Sequence, residues 1–174
     1  IQETPNGLAG PSPYEGQEVT FSGVVTYRNI VGYVVQDGSG PWTAIYVQDN
    51  YNTYSVGQNL TITGVVSEYS DITLSEMTVI TAPSEVVINS NGNPLPQPVD
   101  IVTTQLGEPY ESVLITIHNA DCISINMTEW TIQDSIGIAT VGNFCYTVFP
   151  NIGSNYTVTG LGNQEVAGYR INPR

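Results

Sequence analysis

The chain contains no lysine, and its only cationic side chains are Arg28, Arg170 and Arg174, against 16 acidic residues and a formal net charge of −13. A nucleic-acid binder gains affinity by setting Lys and Arg on phosphates and releasing counterions. Three arginines, two of them in the last five residues, cannot line such a groove, so nucleic acid is not an expected partner. Charge of either sign is scarce: charged residues are 11% of the chain, less than half the usual ~25%. The polar surface must come mainly from Thr, Ser, Asn, Gln and Tyr, types that suit a pleated sheet. Weak mutual repulsion also eases contact between copies, although an ordinary acidic protein would have the same composition.

Long apolar runs are absent as well. No stretch approaches the ~20 residues of a membrane span, and no signal peptide is recognisable. The start at Ile1-Gln2-Glu3, without an initiator Met, reads as a mature secreted or cell-surface product whose export signal has been removed before Ile1; a trimmed chain would look the same. Cysteine is limited to Cys122 and Cys145. They read as one disulfide of an oxidising compartment, worth roughly 3 kcal/mol in the chain-entropy picture, with two unpaired buried thiols as the alternative. Zinc is not expected, because there is no C-x-x-C spacing and His118 is the sole histidine. Motifs of catalysis are missing too: no G-x-S-x-G, H-E-x-x-H or phosphate loop occurs. His118, in Thr116-Ile117-His118-Asn119, reads as a satisfied strand-end histidine, and no enzyme is expected.

What the chain does have is an internal repeat. Tyr14-Glu15 returns as Tyr110-Glu111, Tyr33-Val34-Val35-Gln36-Asp37 as Trp130-Thr131-Ile132-Gln133-Asp134, and Gly57-Gln58-Asn59-Leu60-Thr61 as Gly153-Ser154-Asn155-Tyr156-Thr157, always 96 or 97 residues apart. Such regularity marks a tandem duplication. The division is a ten-residue N-terminal arm, a first domain over 11–88, a Pro/Asn-rich linker over 89–98 and a second domain over 99–174. Three prolines between Pro94 and Pro98 make that linker extended and semi-stiff.

Nowhere do apolar residues recur with helical spacing over three turns. Strands are expected over 18–27, 32–37, 44–47 and 58–67, with two shorter ones at 75–80 and 85–88, and Gly38-Ser39-Gly40-Pro41 closes a hairpin. About five strands per repeat, with Gly23, Gly64 and Gly160 where strands must bend, predict an all-β chain of two tandem OB-like five-stranded β-barrels. The paired carboxylates Glu15/Glu18 and Glu108/Glu111 recur at one place in both copies, which suggests the beginning of a strand rather than a unique active site.

The succession V-G-Q-x-V/L-T-x-x-G-V-V, then G-Y-x-x-Q-D-x-S-G, then Y-S-V-G-Q-x-L-x-I-T-G-V-V-S-E-Y resembles the OB-fold modules at the front of secreted bacterial nucleases. The second half is similar, with G-E-P-Y-E-S-V-L-I-T-I, W-x-I-Q-D and the closing Tyr169-Arg170-Ile171-Asn172-Pro173-Arg174. The resemblance implies an OB-like fold over nearly the whole chain. In that family catalysis lies in a separate downstream domain, so no catalytic residue carries over, and fold alone does not supply a function.

Several residues remain as binding candidates. Tyr33, Trp42, Tyr46, Tyr51, Tyr54 and Tyr69 cluster in the first repeat and could stack on bases or a carbohydrate, or serve as core and cross-strand residues. Asp37 and Asp49 are weak calcium candidates beside turn-forming Gly and Asn; no other cofactor is implied. Asn59, Asn126 and Asn155 sit in N-x-[ST] triplets that matter only in a glycosylating host. The arm Ile1-Gln2-Glu3-Thr4-Pro5 is kept from helix by the Pro and Gly around it. It can be disordered, pack on its own barrel, or add to a neighbouring copy. The expectation is a non-catalytic extracellular structural protein that assembles with copies of itself, as filament, sheath or surface layer. The alternative is an accessory nucleic-acid- or carbohydrate-binding module of a larger secreted enzyme.

Overall fold

The computed structural model describes residues 1–4, 10–50, 52–69, 77–142, 148–165 and 168–174. Eleven strands are present among them: β1 (Glu18–Arg28), β2 (Gly32–Gln36), β3 (Ala44–Gln48), β4 (Asn59–Tyr69), β5 (Met77–Ser90), β6 (Val99–Ile101), β7 (Leu114–Ile125), β8 (Glu129–Gln133), β9 (Ile138–Gly142), β10 (Asn155–Glu165) and β11 (Gly168–Pro173). Two 3₁₀ turns, Thr103–Gln105 and Glu108–Tyr110, lie between β6 and β7. No helix among the described residues is long and apolar enough to cross a membrane.

The first barrel closes in the order β1-β2-β3-β5-β4 and back to β1. The second repeats it: β7-β8-β9-β11-β10, closed by the β10–β7 pairing, with β6 added in parallel to the outer side of β7. In each copy the third and fifth strands pair in parallel and the other pairs are antiparallel. Two OB-like barrels in tandem are therefore the fold.

The duplication extends to detail. The first strand of each copy carries an irregularity in register, between Val25 and Tyr27 and between Cys122 and Ser124. Such a bulge lets one long strand bend and pair with two neighbours in succession. Thr20 and Thr63 join hydroxyls across β1 and β4 at 2.8 Å, and Thr116 and Thr159 do so across β7 and β10 at the same distance. Each core holds one large aromatic from its second strand edge-to-face with another ring: Tyr33 with Tyr54 at 5.1 Å, and Trp130 with Tyr156 at 5.2 Å. That geometry adds to the burial itself.

Gly64 and Gly160 stand at the same repeat position for one steric reason. A Cβ at Gly64 would lie 2.5 Å from Ile80 Cγ2, and one at Gly160 would lie 2.1 Å from Asn172 O. At Gly64 the Ile80 side chain of β5 takes the space of a Cβ, and at Gly160 the backbone of β11 does.

Two expectations need correction. The separate strands expected at 75–80 and 85–88 are one strand, β5, running to Ser90 with a kink at Ala82 (φ 42°) and a register shift opposite Gly64. Pro83 reads as a strand breaker, but the bulge accommodates it. The expected linker is also shorter than 89–98, since Asn89 and Ser90 belong to β5.

Asp134 fastens the second barrel's hairpin to the turn before β7. Its carboxylate accepts from the Thr103 N–H and hydroxyl and from the Ile136 and Gly137 N–H groups, all at 2.8–2.9 Å. Burial alone would raise its pKa, but these donors overcome that and lower it to about 2. A depressed carboxyl stabilises above its ordinary value of 3.8 and loses that effect as pH falls through about 2. Asp134→Asn should therefore lower stability at neutral pH and flatten the acid limb of a pH-dependent denaturation series between about 4 and 2. Gly160→Ala, driven into a backbone oxygen, should cost about 2–3 kcal/mol in urea denaturation, far more than alanine at Gly10, where a Cβ would meet open space.

Candidate functional site

The outer face of a β2–β3 hairpin is the ligand-bearing face of OB barrels. Strand alternation sends Tyr33, Val35, Ile45 and Val47 into the first core, and Val34, Gln36 and Ala44 to the outside. Yet all three outward residues are buried. Val34 and Ala44 belong to the apolar cluster of the second barrel, with Tyr27 and Tyr46 packed against it. The first copy's ligand face is thus covered by the second copy.

Several polar groups of the hairpin are paired across this joint. Gln36 has no exposed surface; its Nε2 donates to Gly38 O at 2.7 Å, and its Oε1 accepts the Leu114 N–H at 3.1 Å. The Trp42 N–H donates to Pro109 O at 2.7 Å, from a backbone held at φ 65°. Ser39 Oγ donates to Gln97 O at 2.7 Å.

The N-terminal segment lies against the same joint. Ile1 packs on the first core, and its carbonyl accepts from Ser12 Oγ at 2.6 Å. Gln2 and Thr4 are buried, and Glu3 is exposed. Gln2 Nε2 donates to Glu111 Oε1 at 3.0 Å. The described part of the arm, Ile1 to Thr4, packs on its own chain; Pro5 lies outside the described residues.

Glu111 is the most heavily buried acid of the joint, with 1% of its surface exposed. Burial pushes its carboxyl well above the ordinary range, and the negative charges of Glu108 and Glu68 push it further, while the Thr78 backbone N–H acts in the opposite sense. Glu108 accepts the Tyr169 hydroxyl, and Glu68 accepts the Ser12 N–H at 2.8 Å and the Thr78 hydroxyl at 3.0 Å. Here the expectation that the two carboxylate pairs recur at one place is corrected: at the 96-residue offset Glu111 stands where Glu15 does, but Glu108 corresponds to Ser12 and Glu18 to Leu114. Glu15 is exposed whereas Glu111 is buried, because only in the second copy do Gln2 and the first barrel lie against that position.

The first-repeat aromatics do not form a common exposed platform. Tyr33 is wholly buried, its phenol pushed up by burial with Asp49 and Tyr54 adding. Tyr54 packs on the first core and Tyr46 on the second. Trp42 and Tyr69 are half-buried, and Tyr51 lies outside the described residues. Asp37 follows β2 beside Thr43, while Asp49 follows β3 beside Val31, so they stand at opposite ends of the hairpin and cannot share one ion. Among the described residues no group of three or more His, Cys, Asp or Glu could hold a metal.

His118 lies within β7 rather than at a strand end, exposed, with Nε2 2.8 Å from Asp100 Oδ1. Cys122 is a buried free thiol that donates to Ser124 O at 3.8 Å. It is not part of a disulfide in this structure, and its expected partner, Cys145, lies outside the described residues. Arg170 sits on the corresponding face of the second barrel, bound to Glu129 at 2.6 Å and Glu165 at 3.2 Å, and so is committed to carboxylates.

Reading the sequence missed Gln36 and singled out Gln2 only as part of the arm. The Gln-Asp pair repeated at 36–37 and 133–134 was a signal, but Gln133 is exposed and Gln36 is not; nothing local distinguishes them. No protein-family model matches the chain, and no curated protein matches it.

Gln36→Ala should leave the Leu114 N–H buried without a partner, at a cost of about 1–3 kcal/mol. In chemical denaturation the variant should unfold earlier, with the first loss at the contact between barrels, seen as faster amide exchange at Leu114.

Proposed function

We propose that this protein is a non-catalytic, extracellular β-scaffold that associates with further copies of itself. The observation that carries the reading is a group of exposed apolar side chains at one end of the second barrel. Backbone bonds between Cys122 and the Gly153–Ser154 pair bring the loop before β10 against the last part of β7. On these two segments Ile123, Ile125, Phe149 and Ile152 are exposed, as is Met127 on the adjoining β7–β8 turn; Phe149 is 90% and Met127 98% exposed. Single exposed apolar residues are ordinary, but several on neighbouring segments offer apolar area for a contact surface. The net charge of −13 opposes association, so contact through these side chains has to outweigh a like-charge repulsion that salt screens.

The alternative, an accessory module for nucleic acid or carbohydrate, draws support from the OB-like connectivity. Against it stand the covered β2–β3 face of the first barrel, the dispersal of its aromatics and the engagement of Arg170.

Sedimentation across a hundredfold range of concentration, with negative-stain microscopy of the densest sample, tests both. The expected result is concentration-dependent growth into larger particles, abolished in the Met127→Asp/Phe149→Asp double variant, and no retention of single-stranded DNA or oligosaccharides at physiological salt. A monomer at every concentration would exclude the assembly reading, and salt-sensitive DNA binding would favour the alternative.

A further inference from the structure

We propose that Glu111 keeps its proton in the folded protein and closes a two-bond acid–amide ring with Gln2, so that a single proton holds the N-terminal segment in the joint between the barrels. This concerns the segment Ile1–Thr4 and stands whether or not copies associate.

The geometry supplies half of the ring directly, as Gln2 Nε2 donates to Glu111 Oε1 at 3.0 Å. The other two atoms of the same two groups, Gln2 Oε1 and Glu111 Oε2, are both buried and both without a partner. Two acceptors cannot bond each other, and leaving both buried and unmade is costly. A proton on Glu111 Oε2 resolves both at once, because it converts that oxygen into a donor toward Gln2 Oε1. One added atom thus satisfies two orphaned groups.

The surroundings favour the same state. From the 3₁₀ turn Glu108–Tyr110 comes Glu108, itself bonded to Tyr169 of β11; from β4 comes Glu68; from β5, the Thr78 N–H; from β10, backbone only, through the bridge between Glu111 and Gly162. Among the described residues the ion pairs are His118–Asp100 and Arg170 with Glu129 and Glu165, and none reaches Glu111. The facing side chains are therefore acidic or neutral. The Thr78 N–H works against the proton, but burial and the two neighbouring carboxylates outweigh it.

The sign of the pH dependence follows. Below the ordinary carboxyl value of 4.5, Glu111 is protonated in both folded and unfolded chains, and its contribution is fully present. As pH rises the unfolded chain releases the proton first, and the contribution is lost as pH passes through the raised folded value. An ionised Glu111 would face the Gln2 carbonyl oxygen and two other carboxylates, and the segment would unseat.

The test is a pH series of amide-exchange protection factors for Gln2 to Thr4, with Glu111 protonation followed by the ¹³C shift of its carboxyl. Protection should fall about tenfold for each pH unit between the ordinary carboxyl value of 4.5 and the raised folded midpoint, and level off above it. Glu111→Gln, near-isosteric and able to form an amide–amide ring with Gln2, should keep the segment protected and remove the pH dependence. Gln2→Ala, outside both barrels, should abolish protection at every pH. A Glu111 carboxyl already ionised at neutral pH with Gln2 still protected would overturn the proposal, as would pH-dependent protection that survives in Glu111→Gln.

Discussion

The structure depends on the burial of one face, the outer side of the β2–β3 hairpin, against the second barrel. Val34 and Ala44 supply the apolar contact and the Gln36 carboxamide satisfies the Leu114 N–H at its margin. Because interiors tolerate apolar side chains but not unpaired polar groups, this combination both draws the barrels together and fixes how they meet. Everything distinctive about the second copy follows: the 3₁₀ turn Glu108–Tyr110 and the N-terminal segment are trapped at the edge of the same contact.

Duplication produces similar barrels, but stacking one on the other makes them inequivalent. The same local sequence, Tyr-Glu, is exposed at 14–15 and largely covered at 110–111. A carboxylate costs little in water and a great deal in a dry joint. Evolution of a tandem pair thus has two environments to fill with one inherited set of residues. The Thr20–Thr63 and Thr116–Thr159 pairs show what stays constant, and Glu111 shows what does not.

Much of the fold was legible because a repeated pattern states its own domain boundary, and because alternation and glycine placement are local properties. The β-barrel pairing follows from these with little ambiguity. Legibility ended where a residue's role depends on what a distant part of the chain brings to it. Pro83 reads locally as a break, yet the kink at Ala82 lets β5 continue. Tyr33 and Tyr46 read alike, as stacking residues or as core and cross-strand residues, although alternation on adjacent strands puts one in a core and the other at a joint. Gln36 and Gln133 are indistinguishable in sequence, because the barrel that buries the first is 78 residues away at its point of contact, Leu114.

The segment joining the barrels is stitched down along its course. Asn93 binds Gly57 O through both its backbone and side-chain nitrogens, Gln97 O receives Ser39 Oγ, and Val99–Ile101 pairs with β7. Such a connector stores almost no slack. The angle between the barrels is accordingly set within each molecule during folding, so the pair turns in solution as one body rather than as two beads on a string.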